Sequence, residues 1–294
     1  MIRVGYPCIN RTIGCTANTT FRLDSYSEEN MKTKISNNLA CLKKIIEYNI
    51  ANRILFFRIS SDLIPFASHP VCKFDWAGKF RSEFEEIGIL IQESGMRISM
   101  HPDQFVLLNS PREDVIERSI KELSYHAKVL DLMGLSASAK VQIHVGGAYG
   151  DKVPAIESFI KTYEEIYPEI KKRLAIENDD RLFTLSDCMK INEKTGIPII
   201  FDSFHHKCNS SGEKLREGIK KAESTWKKHD GVLMMDYSSQ EPGKRTGAHA
   251  EHIDSKDFTE FLNQARGIDI DLMLEIKDKE KSALSAIEIM RGLK

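Results

Sequence analysis

Residues 197–206 read IPIIFDSFHH, and this stretch joins a short apolar run to three side chains that could bind a metal. The run at 198–201 predicts a strand buried on both faces, because it lacks polar alternation. Asp202, His205 and His206 follow directly, and carboxylates and imidazoles are common metal ligands. If this arrangement recurs along the chain, the pattern predicts the fold.

The arrangement does recur, because seven further stretches of strand length are spaced along the sequence. Between them, apolar residues return at steps of three and four, which is typical of amphipathic helices. Gly95, Gly134 and Gly196 lie where helix ends often need a left-handed residue. Eight strand–helix units predict an α/β fold, a single (β/α)8 TIM barrel that spans residues 1–294 as one domain. The predicted strands are 2–6, 53–59, 97–101, 141–145, 173–178, 198–204, 232–237 and 271–276.

Composition limits the class of protein. Apolar residues make up 41% of the chain and charged residues 29%, so it can bury a core and remain soluble. The net charge of −1 gives no global sign of nucleic-acid binding, and the six cysteines lack metal-binding spacing, so we expect free thiols in a reducing cytosol. MIRVGYP is no signal peptide, and no run reaches the ~18 apolar residues of a membrane helix. We expect a cytoplasmic protein without membrane contact, and a monomer.

Most predicted strands end in a potential metal ligand. A TIM barrel brings the carboxyl ends of its strands into one ring, so these side chains should converge at the usual active-site face. Singly, each is more often a capping or surface residue, but the collective pattern favours a metal site. The residues at or just beyond strand ends are His101, His144, Glu177, Asp202, Asp236 and Glu275, and those in the following loops are His69, His205 and His249.

The number of candidate ligands limits the chemistry. Imidazoles and carboxylates without thiolates suit Mn, Zn, Fe or Co, and the set is large enough for two or three ions. Metal ions about 3.5–4 Å apart are used in phosphodiester hydrolysis, where they activate water and neutralise the phosphate. The sequence has no GxGxxG or GxxxxGK(S/T) phosphate loop. The residues therefore favour phosphodiester hydrolysis over redox chemistry.

Longer motifs surround these candidates. They are FFRISSDLIPFASHP (56–70), MRISMHPDQFVLLNSP (96–111), AIENDD (175–180), IIFDSFHH (199–206) and DLMLEIKDKEKSAL (271–284). Together with the predicted barrel, they resemble the ultraviolet damage endonucleases, which belong to the endonuclease IV-like and xylose-isomerase-like barrels. The resemblance covers nearly the whole chain, and HPDQF and DLMLEIKDKEKS are its most specific parts.

The resemblance implies three divalent metal ions, commonly Mn²⁺, with Zn²⁺, Co²⁺ and Mg²⁺ as other candidates. The first ion would be held by His101, His144 and Glu177. Glu177 would also bridge to the second ion, whose other ligands would be Asp202, Asp236 and Glu275. The third would involve His205 and His249. The implied catalytic residues are Glu177, Asp202, Glu275 and His69, the last matching a family histidine close to the site.

Strand seven departs from the family pattern. The family typically has Lys-x-His there, whereas this chain has Met234, Met235 and Asp236. Asp236 can still act as a metal ligand, but Met234 cannot reproduce the interaction of a lysine with the metals. We therefore expect metal preference, pH dependence or lesion preference to differ from relatives that have the lysine.

The resemblance also implies the substrate, duplex DNA nicked immediately 5′ of a photolesion, leaving 3′-hydroxyl and 5′-phosphate ends. Cyclobutane pyrimidine dimers, (6–4) photoproducts and abasic sites are the expected lesions. Gln104 and Phe105 match a pair that the family inserts where a dinucleotide is flipped out, since a stacking aromatic can replace lost base stacking. The remaining DNA-contact candidates are Tyr6 and Asn10, in the lesion pocket, and Lys207 and Arg245, at phosphates.

Several alternatives remain open at this point. From the residues alone, Phe105 could pack against the barrel, and Tyr6 and Asn10 could have core or turn roles. A sugar isomerase or epimerase of the same barrel class also places His, Asp and Glu at strand ends, although with fewer histidines. A lesion-binding protein without catalysis is a further alternative, suggested by Met234 and Asp236 alone.

Overall fold

The computed structural model describes residues 1–293, and this part of the chain forms a closed barrel of eight parallel strands. The predicted (β/α)8 fold is therefore confirmed, with strand bounds that differ from the predicted ones by up to three residues. The strands are β1 (Ile2–Pro7), β2 (Phe56–Ile59), β3 (Arg97–Met100), β4 (Lys140–His144), β5 (Leu174–Glu177), β6 (Ile199–Asp202), β7 (Leu233–Tyr237) and β8 (Ile270–Leu274).

The barrel is closed by pairing between its first and last strands. Every strand pairs in parallel with its neighbour in sequence, and β1 also pairs with β8 in the register Ile2 with Ile270. The backbone N–H of Ile270 donates a hydrogen bond to the carbonyl of Met1, at 2.9 Å. Because all strands run in one direction, their carboxyl ends lie on one face of the molecule.

Helices cover the outside of the barrel. The helix ends follow ordinary local rules: Gly95 and Gly196 end helices with φ values of 69° and 71°, where glycine avoids the strain of a side chain. The helices are α1 (Glu28–Ala51), α2 (Trp76–Lys79), α3 (Arg81–Ser94), α4 (Glu113–Leu132), α5 (Lys152–Glu165), α6 (Pro168–Lys171), α7 (Leu185–Thr195), α8 (Ser203–Cys208), α9 (Leu215–Glu223), α10 (Ser255–Gln264) and α11 (Glu280–Gly292).

The core has two layers. A large outer cluster lies between the strands and the helices, and a small inner cluster fills the inside of the barrel. The inner cluster contains Phe56, Ala175, Ile200, Met234 and Met273, all buried. Met234, where strand seven departs from the expected pattern, is therefore part of the apolar filling of the barrel. These side chains fill the barrel interior, so a site in this fold forms on the C-terminal face above them.

Two cysteines correct an expectation. Cys15 and Cys41 form a disulfide bond that joins the segment after β1 to helix α1, so the prediction of six free thiols is wrong for this pair. Their spacing of 26 residues gave no signal, because a disulfide needs closeness in space and not in sequence. The helices within residues 1–293 include none with the length and apolar character of a membrane span.

Candidate metal centre

The predicted ligands gather at the C-terminal face of the barrel. His144, Glu177 and Asp202 are the last residues of β4, β5 and β6, and His101 directly follows β3. His205 lies in the first turn of α8, whose backbone starts immediately after Asp202. The parallel barrel thus places side chains from four consecutive units within contact of one another.

A first cluster contains His101, His144 and Glu177. The two Nε2 atoms lie 3.4 Å and 3.8 Å from Oε2 of Glu177, and the imidazole rings are 5.3 Å apart between centroids. Nδ1 of His101 lies 2.8 Å from the carbonyl oxygen of Pro102, to which it can donate when protonated. A backbone partner of this kind fixes the tautomer of a metal-binding histidine and directs Nε2 to the ion.

A second cluster shares Glu177 with the first. It contains Glu177, Asp202 and His205, with Nδ1 of His205 3.0 Å from Oε1 of Glu177 and 3.3 Å from Oδ2 of Asp202. Asp202 Oδ1 accepts the backbone N–H groups of Phe204 and His205 at the start of α8. Its Oδ2 atom is buried and has no hydrogen-bond partner. A buried carboxylate oxygen without a donor is costly, and a cation would satisfy it.

The protonation behaviour of these groups reflects their closeness. Burial alone would lower the pKa of His205, but the Asp202 and Glu177 carboxylates outweigh it and raise the pKa to about 12. Removal from water raises the pKa of Asp202 to about 6. Burial would also raise the pKa of Glu177, but His144 and the neighbouring imidazoles lower it well below its usual range. Without a cation, the cluster thus retains a proton on His205, which a metal ion would replace.

Arg58 is a member of this centre that the sequence analysis did not single out. It lies on β2, its side chain is 4% exposed, and its Nη2 donates to both carboxylate oxygens of Asp236, at 2.8 and 2.9 Å. Nη1 also forms a short ion pair with Oε1 of Glu275. Burial would lower the pKa of Arg58, but the two carboxylates outweigh it and keep the guanidinium charged.

Asp236, Glu275 and His249 are near the two clusters but differently engaged. Asp236 and Glu275 both form ion pairs with Arg58. Burial would raise the pKa of Glu275, but the charge of Arg58 outweighs this effect and lowers the pKa to about 2. Nδ1 of His249 lies 2.8 Å from the carbonyl oxygen of Glu275, to which it can donate, and the His249 ring is 6.1 Å from that of His205. His249 therefore flanks the second cluster from the loop after β7.

A groove opens above the centre. It has a volume of about 560 Å³ and combines ring residues with the loop after β3. Phe105 is 75% exposed at its edge, so the structure does not give this side chain a packing role. Among the residues that line the groove are Arg58, His101, Gln104, Phe105, His249 and Glu275.

Three predicted site residues lie outside the ring. His69 is exposed and shares a second cavity of about 540 Å³ with Phe105, on the other side of the loop after β3. Tyr6 and Asn10 are buried: the Tyr6 hydroxyl donates to Oδ1 of Asn49 and accepts from Nδ2 of Asn10. Asn10 also accepts two backbone N–H groups, which fixes a turn. Tyr6 and Asn10 are therefore held by hydrogen bonds in the core and in a turn, and their role in a lesion pocket stays a prediction.

The two basic candidates also differ. Nζ of Lys207 lies 2.8 Å from Oδ1 of Asp257, so this charge already has a partner. The Arg245 side chain is exposed in the loop after β7, and among the described residues it has no ion-pair partner. Arg245 is therefore the better placed of the two to contact a phosphate.

Comparison with known proteins places these features in a family context. A family model described as UV-endonuclease UvdE matches residues 2–294. The UV DNA damage endonuclease of Clostridium perfringens (strain 13) is 37% identical over 294 residues, covering 99% of this chain and 71% of that protein. That of Bacillus thuringiensis subsp. konkukian is 38% identical over 272 residues, covering 91% and 86%. The crystal structure of SacUVDE has 46% sequence identity and a TM-score of 0.95, covering 100% of this chain and 99% of that one.

Proposed function

The chain belongs to the UV-endonuclease UvdE family, and from this membership we propose that it is a metal-dependent endonuclease that incises duplex DNA at ultraviolet lesions. The observation that carries the proposal is the pair of ligand clusters that share Glu177 at the C-terminal face of the barrel. A carboxylate shared by two clusters supports two ions close enough to act on one phosphodiester. The reaction is hydrolysis, without a redox step.

The donor set fits a divalent ion such as Mn²⁺, which accepts imidazole and carboxylate ligands. His101, His144 and Glu177 would hold one ion, and Glu177 would share a second with Asp202 and His205. When bound, such ions lower the pKa of water and neutralise phosphate charge. Oδ2 of Asp202 supports this assignment, because this buried atom makes no hydrogen bond and a metal ion would remove the cost of leaving it so.

The loop after β3 would recognise the distorted duplex. Phe105 is exposed at the groove, where its ring can stack in the space that a flipped-out base leaves. Gln104 adds an amide beside it that can hydrogen-bond to base edges. Extruding a base is easiest where a lesion has already weakened stacking, and this gives the enzyme its preference for damaged DNA.

The finer properties of the activity follow from the family resemblance. The nick lies immediately 5′ of the lesion and leaves 3′-hydroxyl and 5′-phosphate ends. Cyclobutane pyrimidine dimers and (6–4) photoproducts are the main substrates, with abasic sites as a secondary one. We assign the whole span 1–294 to one endonuclease domain that works as a monomer in the cytoplasm.

The test is incision of a labelled duplex that contains one defined pyrimidine dimer, with Mn²⁺ and with a chelator, beside an undamaged duplex of the same sequence. A manganese-dependent nick directly 5′ of the dimer supports the proposal. Equal cutting of both duplexes would contradict lesion recognition. A folded, metal-loaded protein that leaves the damaged strand intact would contradict the endonuclease activity itself.

A further inference from the structure

We infer that the guanidinium of Arg58 occupies the third cation position of the centre, so that the loaded protein holds two divalent ions and not three. The inference rests on the proposed metal-dependent function, and it concerns the number of ions and the role of Arg58. It differs from the trinuclear site that the family resemblance implies.

The first reason is that Arg58 already occupies the carboxylates expected to complete the ligand set. Nη2 lies 2.8 and 2.9 Å from the two oxygens of Asp236, and Nη1 pairs with Oε1 of Glu275. Nη2 also donates to Oε1 of Gln142, at 2.8 Å. The cation is therefore held by three side chains within the barrel mouth, in the way that a metal ion would be.

The second reason is that the carboxylate oxygens of Asp236 are already occupied by hydrogen bonds and have little capacity to bind a metal ion. Its Oδ2 atom accepts from Arg58 at 2.8 Å and from Nε2 of Gln142 at 2.5 Å, while Oδ1 accepts from Arg58 at 2.9 Å. Asp202, in contrast, has a buried Oδ2 atom that makes no hydrogen bond and has only Nδ1 of His205 within ion-pair distance, at 3.3 Å. A metal ion can replace the proton of His205 beside Asp202, whereas Asp236 is already paired with a guanidinium that keeps its proton.

The third reason is chemical. A guanidinium cannot give up its proton in a protein, so Arg58 cannot become neutral to make room for an ion, as a lysine could. Its side chain is 4% exposed, and moving it would leave a buried charge unpaired. Met234, at the position where the family resemblance implies a lysine, is buried in the inner cluster of the barrel and offers no oxygen or nitrogen ligand.

The fourth reason is a shortage of ligands elsewhere. Among residues 1–293, groups of three potential ligands with mutually close donor atoms are found at two positions, and both include Glu177. His249 lies outside both groups, and its Nδ1 is turned to the carbonyl of Glu275. One imidazole and one carboxylate oxygen of Glu275 are too few to hold a third ion firmly.

The experiment is a count of manganese ions per chain by elemental analysis, after loading with Mn²⁺ and removal of unbound metal. We expect two ions in the wild-type protein and three in Arg58→Met, which frees Asp236 and Glu275 while keeping a long apolar stem. Arg97→Met is the matched control, because Arg97 is equally buried and pairs with Asp271 from the first residue of β3, at the opposite end of the barrel. We expect two ions in that control.

Anomalous diffraction at the manganese edge provides a measurement that does not depend on any variant. Two peaks near Glu177 and a guanidinium between Asp236 and Glu275 would support the inference. Three peaks in the wild type, fewer than two, or an unchanged count of two in folded Arg58→Met would overturn it. If the wild type binds three ions and incises damaged DNA, the inference about Arg58 is wrong and the proposed function stands. If it binds two ions and does not incise, the proposed function is wrong and the ion count stands.

Discussion

Oδ2 of Asp202 lies 3.3 Å from Nδ1 of His205, while Oδ1 of the same carboxylate accepts the backbone N–H groups of Phe204 and His205 in α8, both at 2.7 Å. One oxygen therefore caps a helix and the other faces the metal centre. The helix start fixes the orientation of the carboxylate, so that no side-chain rearrangement is needed to present Oδ2 to an ion. Strand end and helix start together would make Asp202 a rigid ligand for the proposed ion.

Asp202→Asn should separate these two tasks. Asparagine also caps helices well, so we expect the fold to remain stable. The amide lacks the charge of the carboxylate, so we expect metal affinity to fall at least about 10–100-fold and incision to fall with it. Titration with Mn²⁺ measures the affinity, and Asp254→Asn is the control, since Asp254 caps α10 in the same way outside the centre. Equal metal binding by the two variants would contradict the assignment.

Phe105→Ala should weaken binding to damaged DNA without affecting stability. The side chain is 75% exposed, so we expect the free energy of unfolding to change by no more than about 0.5 kcal/mol. Loss of stacking should cost about 1–3 kcal/mol of binding, measured as the dissociation constant for a duplex with one dimer. Tyr167→Ala removes another exposed aromatic, near the start of α6 and away from the groove, and should leave binding unchanged.

Arg245→Ala should affect DNA binding more than Lys207→Ala. Arg245 is exposed and without an ion-pair partner among the described residues, whereas Lys207 is paired with Asp257. A phosphate contact that is lost lowers the slope of log affinity against log salt by about one. We expect that change for Arg245→Ala and a smaller one for Lys207→Ala. If the two variants have the same salt slope as the wild type, neither residue contacts the backbone.

His126 should make the fold sensitive to acid. It is fully buried in α4, and burial lowers its pKa from 6.5 to about 4. Between these values the unfolded chain takes up a proton that the folded protein does not, so stability is lost as the pH falls from 6.5 towards 4. The loss amounts to roughly 3 kcal/mol. Urea unfolding measures the free energy of unfolding at pH 7.5 and 4.5, and the difference between the two values should be smaller for His126→Leu than for the wild type. His229→Gln, which replaces an exposed histidine, should behave like the wild type.

The Cys15–Cys41 disulfide should stabilise the segment between β1 and α1. It closes a loop with a sequence separation of 26, for which a loss of about 3 kcal/mol is expected on removal. Cys41→Ser should therefore unfold at lower urea concentration than Cys72→Ser, whose cysteine is free. Alkylation of the denatured protein without reductant should modify four thiols, and six after reduction. Six without reduction would contradict the bond.

The barrel and most of its ring could be predicted because they depend on local patterns. An apolar run followed by a carboxylate, as at 198–202, fixes both a buried strand and the place where its end must lie. Parallel strands then bring Glu177 and Asp202 together without any further information. The helix ends at Gly95 and Gly196 were predictable for the same reason, since they depend on one residue each.

Arg58 was harder to predict, because its partners come from other strands. The signal was present: an arginine inside FFRI, an otherwise apolar strand, has to point either into the helix layer or into the barrel. The choice depends on the register between β2 and its neighbours, which one sequence does not provide. The hydrogen bond of the Tyr6 hydroxyl was unpredictable for a related reason, since its acceptor, Asn49, is distant in sequence.

The closure of β1 against β8 has a consequence for synthesis on the ribosome. Until Ile270–Leu274 has emerged, the growing sheet has two open edges, β1 and β7, whose backbone groups can pair with other chains. Glu275 arrives with that same last strand, so the nascent chain gains its sealed sheet and its complete ring together. Chains that stall before this point are the ones most exposed to strand exchange and to chaperones.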